Sequence, residues 1–127
     1  MAAFEKLSRF QPYALAALRI IAAILFLEHG TQKLFGFPPS QMEGALPTLL
    51  FIAAVMELVG GVLLLVGLFT RPVAFLLSGQ MAVAYFMAHA PKSIFPAING
   101  GDAAILFCFV FLFLMTSGPG AFSLDKR

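Results

Sequence analysis

The stretch LPTLLFIAAVMELVGGVLLLVGLF, Leu46 to Phe69, carries one ionisable residue, Glu57, in an otherwise apolar run. Crossing the hydrocarbon core of a bilayer takes roughly 20 apolar residues in a helix, so this run reads as a membrane span with an acid near its middle. Working outward, similar runs occupy about Phe10 to Gly30, Pro72 to Ala90 and Ala103 to Phe122. Four spans follow, and the chain is expected to be an all-α, polytopic transmembrane four-helix bundle forming a single membrane domain over residues 1–127. The fourth run is the weakest, because Gly118-Pro119-Gly120 breaks its end.

Composition agrees. Apolar residues make up 61% of the 127-residue chain and charged residues 11%, and the mean hydropathy is +0.95, far from soluble norms. A water-soluble domain this small has too little interior to hide 15 Phe. With Trp absent, Tyr13, Tyr85 and Phe must supply any interfacial belt. The net charge of +2 comes from scattered single cations rather than a basic stripe, which argues against a nucleic-acid partner. One cysteine, Cys108, excludes an intramolecular disulfide and a CxxC relay. Lys6 and Arg9 ahead of an apolar run imitate a secretory signal, but Glu28-His29-Gly30 stands where an Ala-x-Ala cleavage site would lie, so the segment is expected to be retained.

An even number of spans puts both termini on one side, with Lys6, Arg9, Arg71, Lys126 and Arg127, while Lys33 and Lys92 lie opposite. By the positive-inside rule the termini are cytoplasmic and the loops Thr31 to Ala45 and Pro91 to Asp102 are outside. The short turn at Thr70-Arg71-Pro72 makes the second and third helices antiparallel neighbours. Ala53, Ala54, Gly60, Gly61 and Gly67 give the second helix a small-residue face for close helix approach, and the loop Lys33 to Pro39 is apolar enough to lie in the headgroup region as a lid.

Ionisable groups inside spans are costly and usually paired toward the bundle interior. Counting depth by residue, Arg19, Glu57 and Gln80 fall close enough to form one buried polar cluster, either fixing helix register or holding the polar head of a membrane-soluble ligand. A second cluster is expected at the outer face from His29, Lys33, His89 and Asp102, with Glu28 and Gln32 beside them. His29 and His89 suit a proton relay; metal or haem ligation lacks any supporting HxxxH or HxxE spacing. Asp102, after Asn99-Gly100-Gly101, reads most simply as a helix cap.

These residues resemble the DoxX family of small four-helix bacterial inner-membrane proteins over nearly the whole chain. The resemblance rests on Leu18-Arg19-Ile20 with Phe26, His29-Gly30 and Lys33-Leu34-Phe35-Gly36; on Glu57-Leu58-Val59-Gly60-Gly61 with Gly67-Leu68 and Thr70-Arg71; and on Asn99-Gly100-Gly101-Asp102 and Gly118 to Asp125. Asp102 departs from the glutamate expected after the glycines, and Glu28 takes a place that is often aromatic. The resemblance implies a link to redox membranes: a quinone as the associated cofactor, a membrane or peripheral redox enzyme as partner, and an accessory subunit rather than an enzyme on its own. It also makes Arg19 and Glu57 the buried pair, and His29 and Lys33 the outer motif. The alternatives are a small-solute or proton transporter, which at this size needs a homo-oligomer, and a scaffold without chemistry of its own.

Overall fold

A computed structural model describes residues 2–39 and 46–125. The rest of the first loop, 40–45, and the terminal cations Lys126 and Arg127 lie outside the described residues. The architecture is all-α. Four helices, α1 (Gln11–Phe35), α2 (Thr48–Val66), α3 (Thr70–Ala84) and α4 (Asp102–Ser117), run alternately up and down. Helical turns at Ala2–Glu5 and Lys6–Phe10 lead into α1, a π-helical turn Tyr85–His89 and a 3-10 turn Ala90–Lys92 extend α3, and one turn at Pro96–Asn99 precedes α4. The most extensive packing joins α1 to α2 and α3 to α4.

Three continuous helical segments, Ala2–Phe35, Thr48–Val66 and Thr70–Lys92, are long and apolar enough to cross a membrane. At 16 residues, α4 is shorter, about 24 Å at the usual rise. Residues 118–122, assigned from sequence to the fourth span, instead leave the helix at Gly118, whose φ of 79° ends it. The bundle thus has a termini face, where α1 and α3 begin and α2 and α4 end, and an opposite loop face.

The surface is inverted relative to a soluble protein. Ile21, Phe51, Ile52, Val59, Phe75 and Phe109 stand exposed around the bundle, where lipid meets them, whereas Arg19 and Glu57 are buried. Phe26, Leu64, Leu77 and Phe111 join all four helices at the core, with the Phe26 and Phe111 rings edge-on at 5.1 Å. Because lipid removes the hydrophobic drive between helices, close approach and interhelical hydrogen bonds must hold them together. Gly30 lets α2 pass close to α1: a Cβ there would lie 3.1 Å from the Ala54 carbonyl oxygen and from the Glu57 Cβ. Across α3 and α4 the Ser78 hydroxyl donates to the Cys108 carbonyl at 2.8 Å.

Beyond α4, Gly118 to Asp125 form a strap across the termini face. Its amides at Ala121, Leu124 and Asp125 donate to the carbonyls of Pro12, Val66 and Gly67 at 3.0, 3.0 and 2.8 Å. The buried Arg19 guanidinium pins it, donating to Ala121 O at 3.0 Å, Phe122 O at 2.8 Å and Pro119 O, and also to Leu64 O at 2.9 Å in the last turn of α2. Asp125 works in the opposite direction. Its two carboxylate oxygens accept from the Phe69 and Thr70 amides, each at 2.8 Å, capping α3 from a distant part of the chain.

Burial pushes the Asp125 carboxyl up, but the Thr70 amide, the Phe69 amide and the charge of Arg19 outweigh it and hold the group below the usual carboxylate range. A folded-state value below the unfolded one means the strap's contribution is complete above the ordinary carboxylate range and is lost as pH falls through the lowered value. Unfolding midpoints followed from pH 7 to 3 should therefore fall for the wild type at the acid end, and Asp125→Asn should flatten that acid dependence while costing about 1 kcal/mol at pH 7; an unchanged acid limb in Asp125→Asn refutes the capping role.

Arg19→Met strips its donors from four buried or half-buried carbonyls and is expected to lower stability by about 3 kcal/mol in a detergent unfolding titration. Arg19→Lys should recover little of this, since an ammonium lacks the planar fork. Full stability of the Lys variant would show that charge alone suffices.

Candidate functional site

Side chains on a helix lean toward its N-terminus. Because α1 rises from the termini face, Lys33 leans back down into the bundle; because α2 descends from the loop face, Glu57 leans up toward it. They meet. Lys33 Nζ lies 2.6 Å from Glu57 Oε1, beside the close crossing of α1 and α2 at Gly30. Gln80 of α3 joins them, its Nε2 donating to Glu57 Oε1 at 3.4 Å and to the Ala53 carbonyl at 3.3 Å. Glu57 is 2% exposed, and the Lys33 side chain is 28% exposed, so the pair is closed toward the bundle and partly open toward the loop face.

Two acceptors in this cluster, Glu57 Oε2 and Gln80 Oε1, are buried without a hydrogen-bond partner among the described residues. Leaving such atoms unsatisfied costs on the order of 1–3 kcal/mol each. Both lone-pair sites call for donors, and Lys33 supplies the neighbouring positive charge.

Arg19 stands apart from this cluster. The same lean carries its guanidinium toward the termini face, where it lies beside Gly67, ten residues or about 15 Å along α2 from Glu57. The expected Arg19, Glu57 and Gln80 grouping is thus replaced: Lys33 takes the place beside Glu57, and Arg19 holds backbone carbonyls.

The outer group is also divided. His29 is exposed, its Nδ1 pairing with Leu25 O at 2.8 Å and its ring standing edge-on to Phe107 at 6.4 Å. His89 Nδ1 pairs with Asn99 O at 3.0 Å, and its ring stacks on Tyr85 at 6.3 Å. A carbonyl oxygen only accepts, so Nδ1 carries the hydrogen in each ring. Asp102 is an exposed residue in the first turn of α4 and makes no side-chain cap bond; Gly101 occupies the N-cap. Its charge still suits the positive end of the helix.

The organiser of this face is Asn99, which sequence reading treated only as part of a turn. It is 3% exposed. Its Nδ2 donates to Tyr85 Oη and Ser93 O, both at 3.0 Å, and its Oδ1 accepts from the Gly101 amide at 2.8 Å. Gly101 is required there, because a Cβ would lie 2.5 Å from the Tyr85 ring. The one available signal was an amide side chain directly before two glycines.

The DoxX family model matches residues 14–90, a range holding Arg19, His29, Lys33, Glu57, Gln80 and His89. An uncharacterized protein of Haemophilus influenzae is 45% identical, with 97% of this chain and 96% of that one covered. Inner membrane protein YphA of Escherichia coli is 29% identical, covering 92% of this chain and 91% of its own. Uncharacterized membrane protein Rv3486 of Mycobacterium tuberculosis is 31% identical, covering 91% and 82%. No solved structure matches. A family match over more than half of the residues, a close relative along the whole length and a bundle of apolar helices together make this chain a membrane protein of the DoxX family.

Proposed function

We propose that this protein sits in a bacterial inner membrane with both termini in the cytoplasm, and that it serves a redox system there as a quinone-linked accessory subunit. Lys33, Glu57 and Gln80 take the polar head of the ligand. The observation that carries this reading is the pair of unpartnered buried acceptors, Glu57 Oε2 and Gln80 Oε1, beside the Lys33 ammonium. A quinol offers hydroxyl donors to those two atoms, and the oxidised quinone offers a carbonyl to the remaining Lys33 hydrogens. When bound, such a group carries electrons between membrane enzymes; the chain's own residues bind its head and hold a proton at Glu57. The ligand approaches the cluster from the loop face, a reading supported by the partial exposure of Lys33.

Membrane placement draws on the relatives named as inner membrane proteins in Escherichia coli. Orientation draws on the excess of Lys and Arg at the termini face.

Organic extracts of the purified protein, analysed by mass spectrometry, should contain near-stoichiometric quinone. Glu57→Gln and Gln80→Leu should each lower quinone retention by about tenfold, the worth of one lost hydrogen bond to a charged or buried group. Folded variants of both that keep wild-type quinone content would remove the assignment.

A further inference from the structure

Where the strap crosses the termini face it borders a groove of about 600 Å³ between the starts of α1 and α3 and the end of α4. The volume is in the range of small-molecule sites. Leu15, Pro72 and Phe113 give it apolar walls, and Arg71, Ser117 and Asp125 give it a polar rim. It lies at the opposite end of the bundle from Lys33.

The groove is lined by one cation, Arg71, and one acid, Asp125, and they differ in what their polar atoms have left to offer. Arg71 Nη1 donates to the carbonyls of Met115 at 3.1 Å and Thr116 at 2.5 Å. Among the described residues its Nε and Nη2 make no hydrogen bond and no carboxylate pairs with it. Asp125, the acid in the lining, has both oxygens engaged by the Phe69 and Thr70 amides. What remains is a guanidinium held in place by the end of α4, with donors to spare, at the level where exposed Tyr13 and Arg9 mark the start of α1. A planar fork of N–H groups matches the oxygens of a phosphate. Apolar walls directly beneath it match acyl chain, and a basic site between helices at the headgroup level is the setting in which anionic lipids are recognised.

We propose that this groove is a binding site for the phosphate group of an anionic phospholipid, seated on Arg71 with its acyl chains against Leu15 and Phe113. A soluble phosphate ester shares the head chemistry but has nothing to place on the apolar walls.

The test is native mass spectrometry of the full-length protein in mild detergent, titrated with phosphatidylglycerol, with phosphatidylcholine and with glycerol phosphate. The wild type should retain one phosphatidylglycerol per chain with about tenfold preference over phosphatidylcholine, whose choline cation offsets the charge of the same phosphate and is repelled by Arg71. Arg71→Gln should abolish the preference. Should that variant fail to fold, Ser117→Phe, which fills the groove and leaves Arg71 in place, should lower phosphatidylglycerol retention by a similar factor. Arg9→Gln should leave both unchanged. Equal retention of the two lipids by the wild type, or an undiminished preference in Arg71→Gln or undiminished retention in Ser117→Phe, overturns the site. Displacement by glycerol phosphate at concentrations equal to those of the lipid overturns the lipid assignment in favour of a soluble phosphate ester.

Discussion

A guanidinium inside a bilayer has no water to satisfy it, and much of this structure is arranged around that constraint at Arg19. Its acceptors must come from the protein, and they are backbone carbonyls of two kinds. Leu64 O belongs to the last turn of α2, where it also accepts from the Gly67 amide at 3.1 Å; Pro119, Ala121 and Phe122 belong to the strap. One side chain therefore completes a helix end and folds eight residues of non-helical chain that would otherwise expose unpaired polar groups at the membrane boundary. Close approach is part of the arrangement: a Cβ on Gly67 would lie 2.4 Å from Ser123 Cβ, and one on Gly120 would lie 2.7 Å from the Pro12 carbonyl oxygen. Asp125 then returns the favour to α3 by capping its first amides.

The two buried ionisable residues of the spans are thus in opposite conditions. Arg19 is engaged with the backbone on several sides, so removing it breaks structure. Glu57 has one oxygen shared by Lys33 and Gln80 and another with no partner. A site that has to exchange ligands or protons needs unspent hydrogen-bonding capacity, and only the second residue has it. Unspent hydrogen-bonding capacity is therefore found at Glu57, and Arg19 serves to hold the strap and the end of α2.

Span positions and the small-residue face of α2 were legible because apolar runs, Pro47, Pro72 and glycine doublets act locally. Counting residues sets Gln80 at nearly the depth of Arg19, whereas its amide meets Glu57 Oε1 at 3.4 Å. The pairing with Arg19 was misread because depth was counted at Cα, whereas long side chains reach along the helix in a fixed direction. Applying that lean to α1 and α2 sends Arg19 and Glu57 apart and brings Lys33 down, an inference available without coordinates. The strap was less accessible. Gly118-Pro119-Gly120 announces a helix end, but that Asp125 would cap α3, more than fifty residues earlier, depends on where the strap turns. Asn99 stayed hidden for a similar reason, since its three partners come from separate turns.

The shortness of α4 links these features. A helix of 16 residues spans about 24 Å, less than the roughly 30 Å of hydrocarbon its longer neighbours cross. Its last carbonyls lack partners within the helix, and a neighbour supplies donors to them. Arg71, from the first turn of α3, supplies donors to Met115 and Thr116, much as Arg19 does for Leu64 on α2. Each arginine closes the end of a descending helix from an ascending one. The difference lies beside them: around Arg19 the strap packs tightly, whereas beside Arg71 the missing turn of α4 leaves a groove bordered by Leu15, Pro72, Phe113, Ser117 and the strap's edge. The groove is the geometric remainder of a helix that stops one turn early, and its spare donors belong to the arginine that closes such an ending.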